Sequence, residues 1–475
     1  MSERLASFSP AFFVIVLIAM GILIIFGLTK EGKTPIFIAD ESSAEQKGIF
    51  KIYHYKVYAD FAEKGVYSIP EANPAYFRLV GNTSETESIY FQTTANTSFA
   101  QHIATDESHV YCGNLILPKL NPYTVYYIGD GYVSDGQLTY YCSLEFSPNQ
   151  ELGIIRTVYQ QILFNFNKGP RPQTVLYSFK ALPVSQKSYQ LILPNIVTDG
   201  QQAYLAGELM REALPQKLHY MLQPDKDKSS QHYLADGQHV YYDNDLLDLQ
   251  DNNQLIAYDI STAAGYYLED PIQHIFYFKN KSFPNKLAPL RILNTTDKHG
   301  IPILFHSPKG IYYIEGVKKI VQKAGKSPFK DKLEQIYPDV FSNGTKSFFL
   351  VADKTTTRGR NGYRLCSYIT SLMELDNAPA EKWEEIGRAG YGVKSPSSIW
   401  KNGMHYYYFD KFGQESAIKS SIYKIRDPAL ANYMTFNAVE SDTIYDYIQM
   451  GFLEIPPHRE VIRAESRLHS RFRGC

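Results

Sequence analysis

Several residue types that would place a chain in a class at once are scarce or absent from this 475-residue sequence. It has four cysteines, Cys112, Cys142, Cys366 and Cys475, and no C-x-x-C pair. That argues against a structural zinc site and against a disulfide-dense secreted scaffold. Neither sign of charge is in excess: 48 basic and 49 acidic side chains leave a formal net charge of −1. No whole-chain field therefore draws nucleic acid or an anionic surface. The chain lacks the phosphate-cradling G-x-x-x-x-G-K-[ST], the G-x-S-x-G nucleophile elbow and the metalloprotease H-E-x-x-H. Low hydrophobicity combined with high net charge is missing too, because 44% of residues are hydrophobic, so disorder is not expected.

Long apolar runs are scarce as well, with one exception. Ala11 to Leu28 reads AFFVIVLIAMGILIIFGL, 18 residues without a charge. As a helix it would be about 27 Å long, close to a bilayer's hydrocarbon core. No A-x-A pattern follows in TKEGKTPIF, so the run predicts a retained signal anchor rather than a cleaved signal peptide. Arg4 on one side and Lys30 and Lys33 on the other make the charge rule nearly neutral. The short N-terminal tail favours an N-terminus inside and a body outside.

What the chain has in abundance is tyrosine, 38 residues, with 27 Phe against two Trp, Trp383 and Trp400. Tyr and Phe suit pleated, half-buried surfaces, where a Tyr buries its ring and leads its hydroxyl to a polar partner. Sheet packing is the first expectation, and an aromatic face for glycans or peptides is the alternative.

The aromatic segments recur. TDESHVYCGNLIL (105–117), SDGQLTYYCSLEF (134–146), TDGQQAYLAGEL (198–209) and ADGQHVYYDNDLL (235–247) each place a Tyr five residues after an Asp. The Asp-Gly pairs 135–136, 199–200 and 236–237 predict tight hairpin turns. The Asp positions 106, 135, 199 and 236 imply a unit of about 30 to 37 residues if the long interval holds two units, with FNKGPRPQTVLYSF (166–179) as a degenerate copy. Asn-Pro turns at Asn73 and Asn121, and the similar Asp270-Pro271, lie upstream of further aromatic sequence.

The pattern Tyr-x-x-Asp-(Gly/Lys)-x-x-Val-Tyr-Tyr, alternating with a Pro turn, resembles the bacterial DKNYY-repeat proteins. ADGQHVYYDN (235–244) carries it best, and VYADFAEKGVYSIPEANPAYFRLV (57–80) is similar to a complete divergent unit. The resemblance spans Tyr53 to Phe278, with a weaker echo in KNGMHYYYFD (401–410). Asp-Gly-Gln stands where the family name has Asp-Lys-Asn. The resemblance implies a bacterial, cell-envelope protein without an established activity, and it transfers no catalytic residue.

Helical sequence is sparser. GELMREALPQKLHYML (207–222) predicts a short helix broken by Pro215, and Asp427–Phe436 and Asp442–Leu453 predict helices opened by Asp caps. Arg459, Arg463, Arg467 and Arg471, with Arg473 following, form one basic stripe if the tail is helical. That stripe suits either solvent or phosphate headgroups and acidic partners.

Residues that bear chemistry form no convincing set. The glycine runs 359–362 and 387–392 do not sit between a strand and a helix start, which suits loops better than dinucleotide binding. The twelve histidines are dispersed; His109 and His239 hold the same place after their Asp, a repeated structural slot, and His232 flanks the best copy. Pairing Asp236 with Asp243 as glycosidase carboxylates would be arbitrary. Asn-x-Ser/Thr sequons at Asn82, Asn96, Asn280, Asn294 and Asn343 would matter in a eukaryotic secretory protein and are chance matches in a bacterial one. Cys112 and Cys142 lie one repeat apart and form either a disulfide between neighbouring strands or two buried thiols.

The sequence thus predicts a mainly β fold: tandem hairpin-type repeats stacked as a solenoid or propeller-like array, one N-terminal transmembrane helix and a few short C-terminal helices. Residues 1–33 form the tail and signal anchor, 34–375 the Tyr-rich repeat body, and 376–475 a β/α region with a basic tail. The expected function is that of a single-pass, membrane-anchored envelope protein with a non-enzymatic body, binding or structural. Its partners would be the bilayer, through Ala11 to Leu28, and a protein or glycan on the Tyr-rich face, not nucleic acid. Its place would be the inner (cytoplasmic) membrane, with the body in the periplasm or outside the cell. No catalytic residue, cofactor or metal is assigned. A glycan-acting enzyme using an aromatic sugar platform is the alternative.

Overall fold

The Asp turns organise the chain. In a computed structural model, Oδ1 of Asp106, Asp135, Asp199 and Asp236 accepts the backbone N–H groups two and three residues on, at 2.7–2.9 Å. This Asx turn satisfies two donors that no ladder reaches. The Asp pairs with the residue three further on, so each loop has two residues, as Asp236 N–H to His239 O (3.2 Å) illustrates. Where Gly follows, it occupies the first loop position with positive φ, +90° at Gly136 and Gly200 and +84° at Gly237. The Asp itself stays out of the left-handed region, so only the glycine supplies the unusual geometry.

The structure describes residues 44–468, apart from 62–63, 82–98, 225–227, 262–264, 295–301, 317, 330–331, 360–361, 390–396, 411–418, 438 and 440. Among them are nine antiparallel sheets of four or five strands, numbered here in chain order. Sheets 1 to 4 span residues 45–69, 78–117, 126–181 and 190–210, and belong to one compact unit, Met1–Leu218. Sheets 5 to 9 belong to the second, His219–Cys475; sheets 5 to 7 span 219–250, 256–282 and 291–325. Sheet 8 takes four strands from 334–379 and a fifth, His458–Arg467, and sheet 9 lies within 383–454. Strands follow one another in sequence order, and the Asp turn always joins the second strand to the third.

The repeating unit is therefore a four-stranded meander, not a hairpin. The motif marks only the central turn, and the outer strands carry no recurring signature. The expected solenoid or propeller-like array is corrected: the sheets are separate hydrogen-bonded ladders, the chain divides into two units, and neither solenoid nor propeller closure is found. What recurs is face-to-face packing within each unit. One core cluster joins Phe50 and Phe77 to Val110 and Val133 across sheets 1 to 3, and another joins Tyr132 to Val197 across sheets 3 and 4. In the second unit, clusters likewise join sheets 5 and 6, 6 and 7, 7 and 8, and 8 and 9.

Other expectations also change. The interval from Asp135 to Asp199 holds one unit with an insertion. Helix α1 (Ile154–Asn165) interrupts sheet 3, and Val175–Ala181, in the supposed degenerate copy, is that sheet's last strand, paired with Thr139–Pro148. Residues 207–222 form no helix; strands Glu208–Met210 and His219–Leu222 flank a turn in which Glu212 has φ +62°. Pro215 keeps Leu214 out of the helical region, which explains the failure. The Arg tail is strand His458–Arg467, not helix. A four-residue spacing fits a strand's period of two as well as a helix turn, so Arg463 and Arg467 share one side while Ile462 and Ala464 are buried on the other; a register irregularity opposite Leu372–Met373 separates Arg459 from that pair. Arg471 and Arg473 lie outside the described residues.

Two C-terminal helices do form, α2 (Pro428–Phe436) and α3 (Ser441–Gln449). Asp427 caps α2, accepting Ala429 N–H at 2.8 Å with Pro at the first position, while α3 starts one residue earlier than expected and holds Asp442 in its first turn. The expected transmembrane run, Ala11 to Leu28, lies outside the described residues. Among those described, no helix is long and apolar enough to cross a membrane. Cys112 and Cys142 form a disulfide with Cα atoms 5.9 Å apart. Each lies in the third strand of its own sheet, so the bridge clamps sheet 2 to sheet 3 and does not join neighbours in one ladder. The one-residue difference in spacing from the Asp therefore does not turn one sulfur away, because no common ladder register applies.

Candidate functional site

The family motif's polar residues converge on one another. Oδ2 of Asp106 accepts Asn73 N–H (2.9 Å) and the Tyr111 hydroxyl (2.8 Å), so the Asn-Pro turn, the Asp turn and the motif Tyr are a single hydrogen-bonded cluster. In sheet 3, Asp135 accepts Asn121 N–H at 2.9 Å, but the Tyr140 hydroxyl turns to Pro118 O. Burial works against the Asp106 charge, yet the N–H groups of Asn73, Ser108 and His109 and the Tyr111 hydroxyl outweigh it and hold the carboxyl below its ordinary value. Asp135 and Asp199 are held low in the same way. His109 and His239 both donate their backbone N–H to the preceding Asp at 2.7 Å, which is the shared slot their spacing suggested.

Asp270 belongs to this set rather than to the Asn-Pro group, since its Oδ1 accepts Ile272 and Gln273 N–H in the central turn of sheet 6. Asn343 occupies the equivalent place in sheet 8, accepting Thr345 and Lys346 N–H. The Asn343-Gly344 pair, which is also part of a sequon, carries the turn signal, with φ +92° at the glycine.

A second device occurs in sheets 3 and 5, where a tyrosine of the second strand, Tyr132 or Tyr233, reaches the next sheet. The Tyr132 hydroxyl is buried against sheet 4, donating toward Asn195 O (3.1 Å) and Tyr204 O (2.9 Å) and accepting Gly207 N–H (2.9 Å). Tyr233 of sheet 5 reaches Tyr266 O and Lys279 O of sheet 6, both at 3.1 Å. These hydroxyls tie one sheet to backbone carbonyls of the next, adding to the N–H groups of Ala206 and Lys279 that already bond Asn195 O and Tyr266 O. Exposed tyrosines exist, Tyr55, Tyr76 and Tyr123 among them, but seven of the twelve largest fully buried side chains are tyrosines, so burial dominates this residue's use.

One cluster departs from this pattern. His232, in sheet 5, places Nδ1 2.7 Å from Asp243 Oδ1, and its ring centroid lies 3.8 Å from that of Tyr266 in sheet 6. Asp259 of sheet 6 accepts the Ser230 hydroxyl (2.9 Å) and Gln231 N–H (2.6 Å). Burial pushes the Asp259 carboxyl up, and the Asp243 charge adds to it, against the pull of those donors and of His232. The Asn244 side-chain oxygen nearby is buried without a partner among the described residues. His232 is thus oriented by one aspartate and lies beside a second whose carboxyl is pushed up, a buried polar cluster between sheets 5 and 6. Its Ser230 is engaged with Asp259 and is not poised against the imidazole, so the arrangement specifies no nucleophilic reaction.

Asp236 and Asp243 sit at opposite ends of strand His239–Tyr242 and serve different partners, a turn and His232. Among the described residues, no group of three or more His, Cys, Asp or Glu side chains is placed to hold a metal ion. Gly359 and Gly362 face one another across the longest hairpin, and Gly387 lies in a strand. Of the sequons, Asn294 is fully buried with Oδ1 accepting Leu304 N–H, which bars a glycan there in the folded protein, while Asn82 and Asn96 lie outside the described residues.

Separate antiparallel meanders, keyed by Asx turns and by buried tyrosines that bridge consecutive sheets, define a tandem-sheet repeat protein. Residues 50–245 match the sequence model of the DKNYY family. A comparison with curated proteins found no match. The matched stretch covers sheets 2 to 4 and most of sheets 1 and 5, while the Asx turns at Asp270 and Asn343 continue the same design beyond it.

Proposed function

We propose that this chain is a membrane-anchored envelope protein whose tandem-sheet body binds a partner or supports an assembly without catalysing a reaction. The observation that carries this reading is where the family motif's residues go. The motif Asp is spent on backbone N–H groups, and the second-strand tyrosines Tyr132 and Tyr233 are spent on the next sheet's carbonyls, so the repeat specifies a scaffold rather than a reactive centre. The apolar run Ala11 to Leu28 supplies the attachment, with the N-terminus inside the cell and the body in the periplasm or beyond. The glycan-acting alternative draws less support, because an aromatic sugar platform needs ring faces that the body mostly buries.

The test is fractionation of the full chain and of a form lacking residues 1–33. The full chain is expected to stay with membranes through alkaline carbonate, and the shortened form to be soluble with unchanged near-UV circular dichroism. A shortened form that still sediments as a folded membrane species sinks the anchoring. Release of reducing ends from peptidoglycan by the purified protein, abolished by His232→Gln, would replace the scaffold with an enzyme.

A further inference from the structure

Helix α1 is an insertion that the pairing of its sheet does not require. It interrupts sheet 3 between strands Thr139–Pro148 and Val175–Ala181, which pair with each other regardless. Its sequence, IIRTVYQQILFN, puts Ile154, Ile155, Val158, Tyr159 and Ile162 along one side, with Arg156, Thr157, Gln160 and Gln161 on the other. An amphipathic helix of a globular protein turns such a side inward. Here Ile154 is 84% exposed, Ile155 87% and Tyr159 62%, while the buried residues are Phe164 and Asn165 at its far end. Burying one Ile or Tyr is worth roughly 1.5–3 kcal/mol, so the uncovered side gives up a large part of what the helix offers.

Charge says what covers it. From Leu152 to Thr198 the chain carries Arg156, Lys168, Arg171, Lys180 and Lys187 and not one Asp or Glu, within a protein whose total charge is near zero. Two of these have partners in the first unit, Lys180 with Glu208 and Arg171 over the Tyr67 ring, so the local excess is smaller than the sequence count. An exposed Ile/Tyr side in a basic, acid-free segment is the composition of a helix that lies in a membrane interface. Distance allows it. Fifteen residues separate the end of the apolar run at Leu28 from residue 44, where the described body begins. Fully extended they reach about 50 Å, which bounds how far residue 44 of the first unit can stand from the surface.

We infer that helix α1 is a second membrane contact, laying Ile154, Ile155 and Tyr159 into the headgroup region of an anionic bilayer and so holding the first unit against the surface. The inference rests on the anchoring proposed above.

Cys112 and Cys142 are bridged, Cys366 is likewise disulfide-bonded, and no free thiol occurs among the described residues, so an introduced cysteine labels selectively. The full chain carrying Tyr159→Cys, and separately Gln160→Cys, is labelled with an environment-sensitive fluorophore. Each is reconstituted in vesicles of 70% phosphatidylcholine and 30% phosphatidylglycerol containing a spin-labelled quencher lipid. Flotation is measured on the same samples. The expected result is flotation, with quenching at least threefold stronger at position 159 than at 160, and weaker in pure phosphatidylcholine. Flotation without quenching at 159 overturns the helix contact and leaves the anchor standing. A blue-shifted label without quenching means that protein, such as a second copy, covers the face, and also overturns it. Failure to float overturns both readings.

Discussion

Two aspartates, Asp106 in the first unit and Asp259 in the second, show how little the residue type alone decides. Both are withdrawn from solvent and both accept two or more hydrogen bonds. Asp106 sits in a turn whose backbone donors all point at it, and its carboxyl is held low. Asp259 sits in a strand beside Asp243 and among tyrosine rings, and its carboxyl is pushed up. The first charge organises the fold around itself, while the second is tolerated by a fold organised otherwise. Burial raises both; the count of donors and the sign of the nearest charge decide which way each moves.

The sharpest way to break this comparison is to delete the first carboxylate. Asp106→Ala strands three backbone N–H groups and the Tyr111 hydroxyl, and is expected to cost about 4 kcal/mol in urea unfolding. Asn343→Ala, the neutral and more exposed counterpart, is expected to cost about 1 kcal/mol. Equal losses would mean that the charge is immaterial.

Acid should then expose the first unit's dependence on its ionised groups. His102 is buried against the Tyr177 hydroxyl at 2.7 Å, and burial lowers its pKa to about 4. An unfolded histidine protonates near 6.5, so the unfolded state gains protons first as pH falls. Stability is expected to drop by about 3 kcal/mol between about pH 6.5 and 4. Asp106, Asp135 and Asp199 are held low, so their stabilisation is full above an unfolded value of about 3.9 and is lost as pH falls through their folded values. Chemical denaturation across this range should show two successive declines, and His102→Gln should remove the upper one.

Tyr132→Phe keeps the ring but removes the hydroxyl's bonds to Asn195 O and Tyr204 O and the acceptor of Gly207 N–H, for an expected loss of about 2 kcal/mol. A melting temperature unchanged in that variant would show that the bridging hydroxyl is dispensable. Gly136 has φ +90° with open space around its missing Cβ, so Gly136→Val should cost about 1 kcal/mol from backbone strain alone. Asp259→Asn is the smallest effect. Its one amide oxygen can still accept Gln231 N–H while its N–H2 turns to Ser230 Oγ, and a disfavoured charge is removed, so stability at neutral pH should stay within about 0.5 kcal/mol. A clear loss there would place Asp259 with Asp106 after all.

Local chemistry settled much of this protein before any packing was known. An Asp followed by two or three backbone donors makes its turn unaided, Gly after it supplies the positive φ, and Asp427-Pro428 opens a helix; each involves neighbours in sequence. The sequence therefore determined the β class, the turn positions, the likeness to the DKNYY family over residues 50–245 and the C-terminal helices. What it could not determine depends on partners far along the chain. The short outer strands carry no signature because sheet edges select for little beyond pairing, so the unit looked like a hairpin. A spacing of four serves helix and strand alike, and only pairing with Gly362–Pro379 made the Arg tail a strand. The Cys112–Cys142 bridge and the Tyr132 and Tyr233 contacts join one sheet to the next, and the His232 cluster assembles from residues of sheets 5 and 6. Those juxtapositions arise from sheet packing, a property of surfaces brought together in space, and only the tertiary structure decided them.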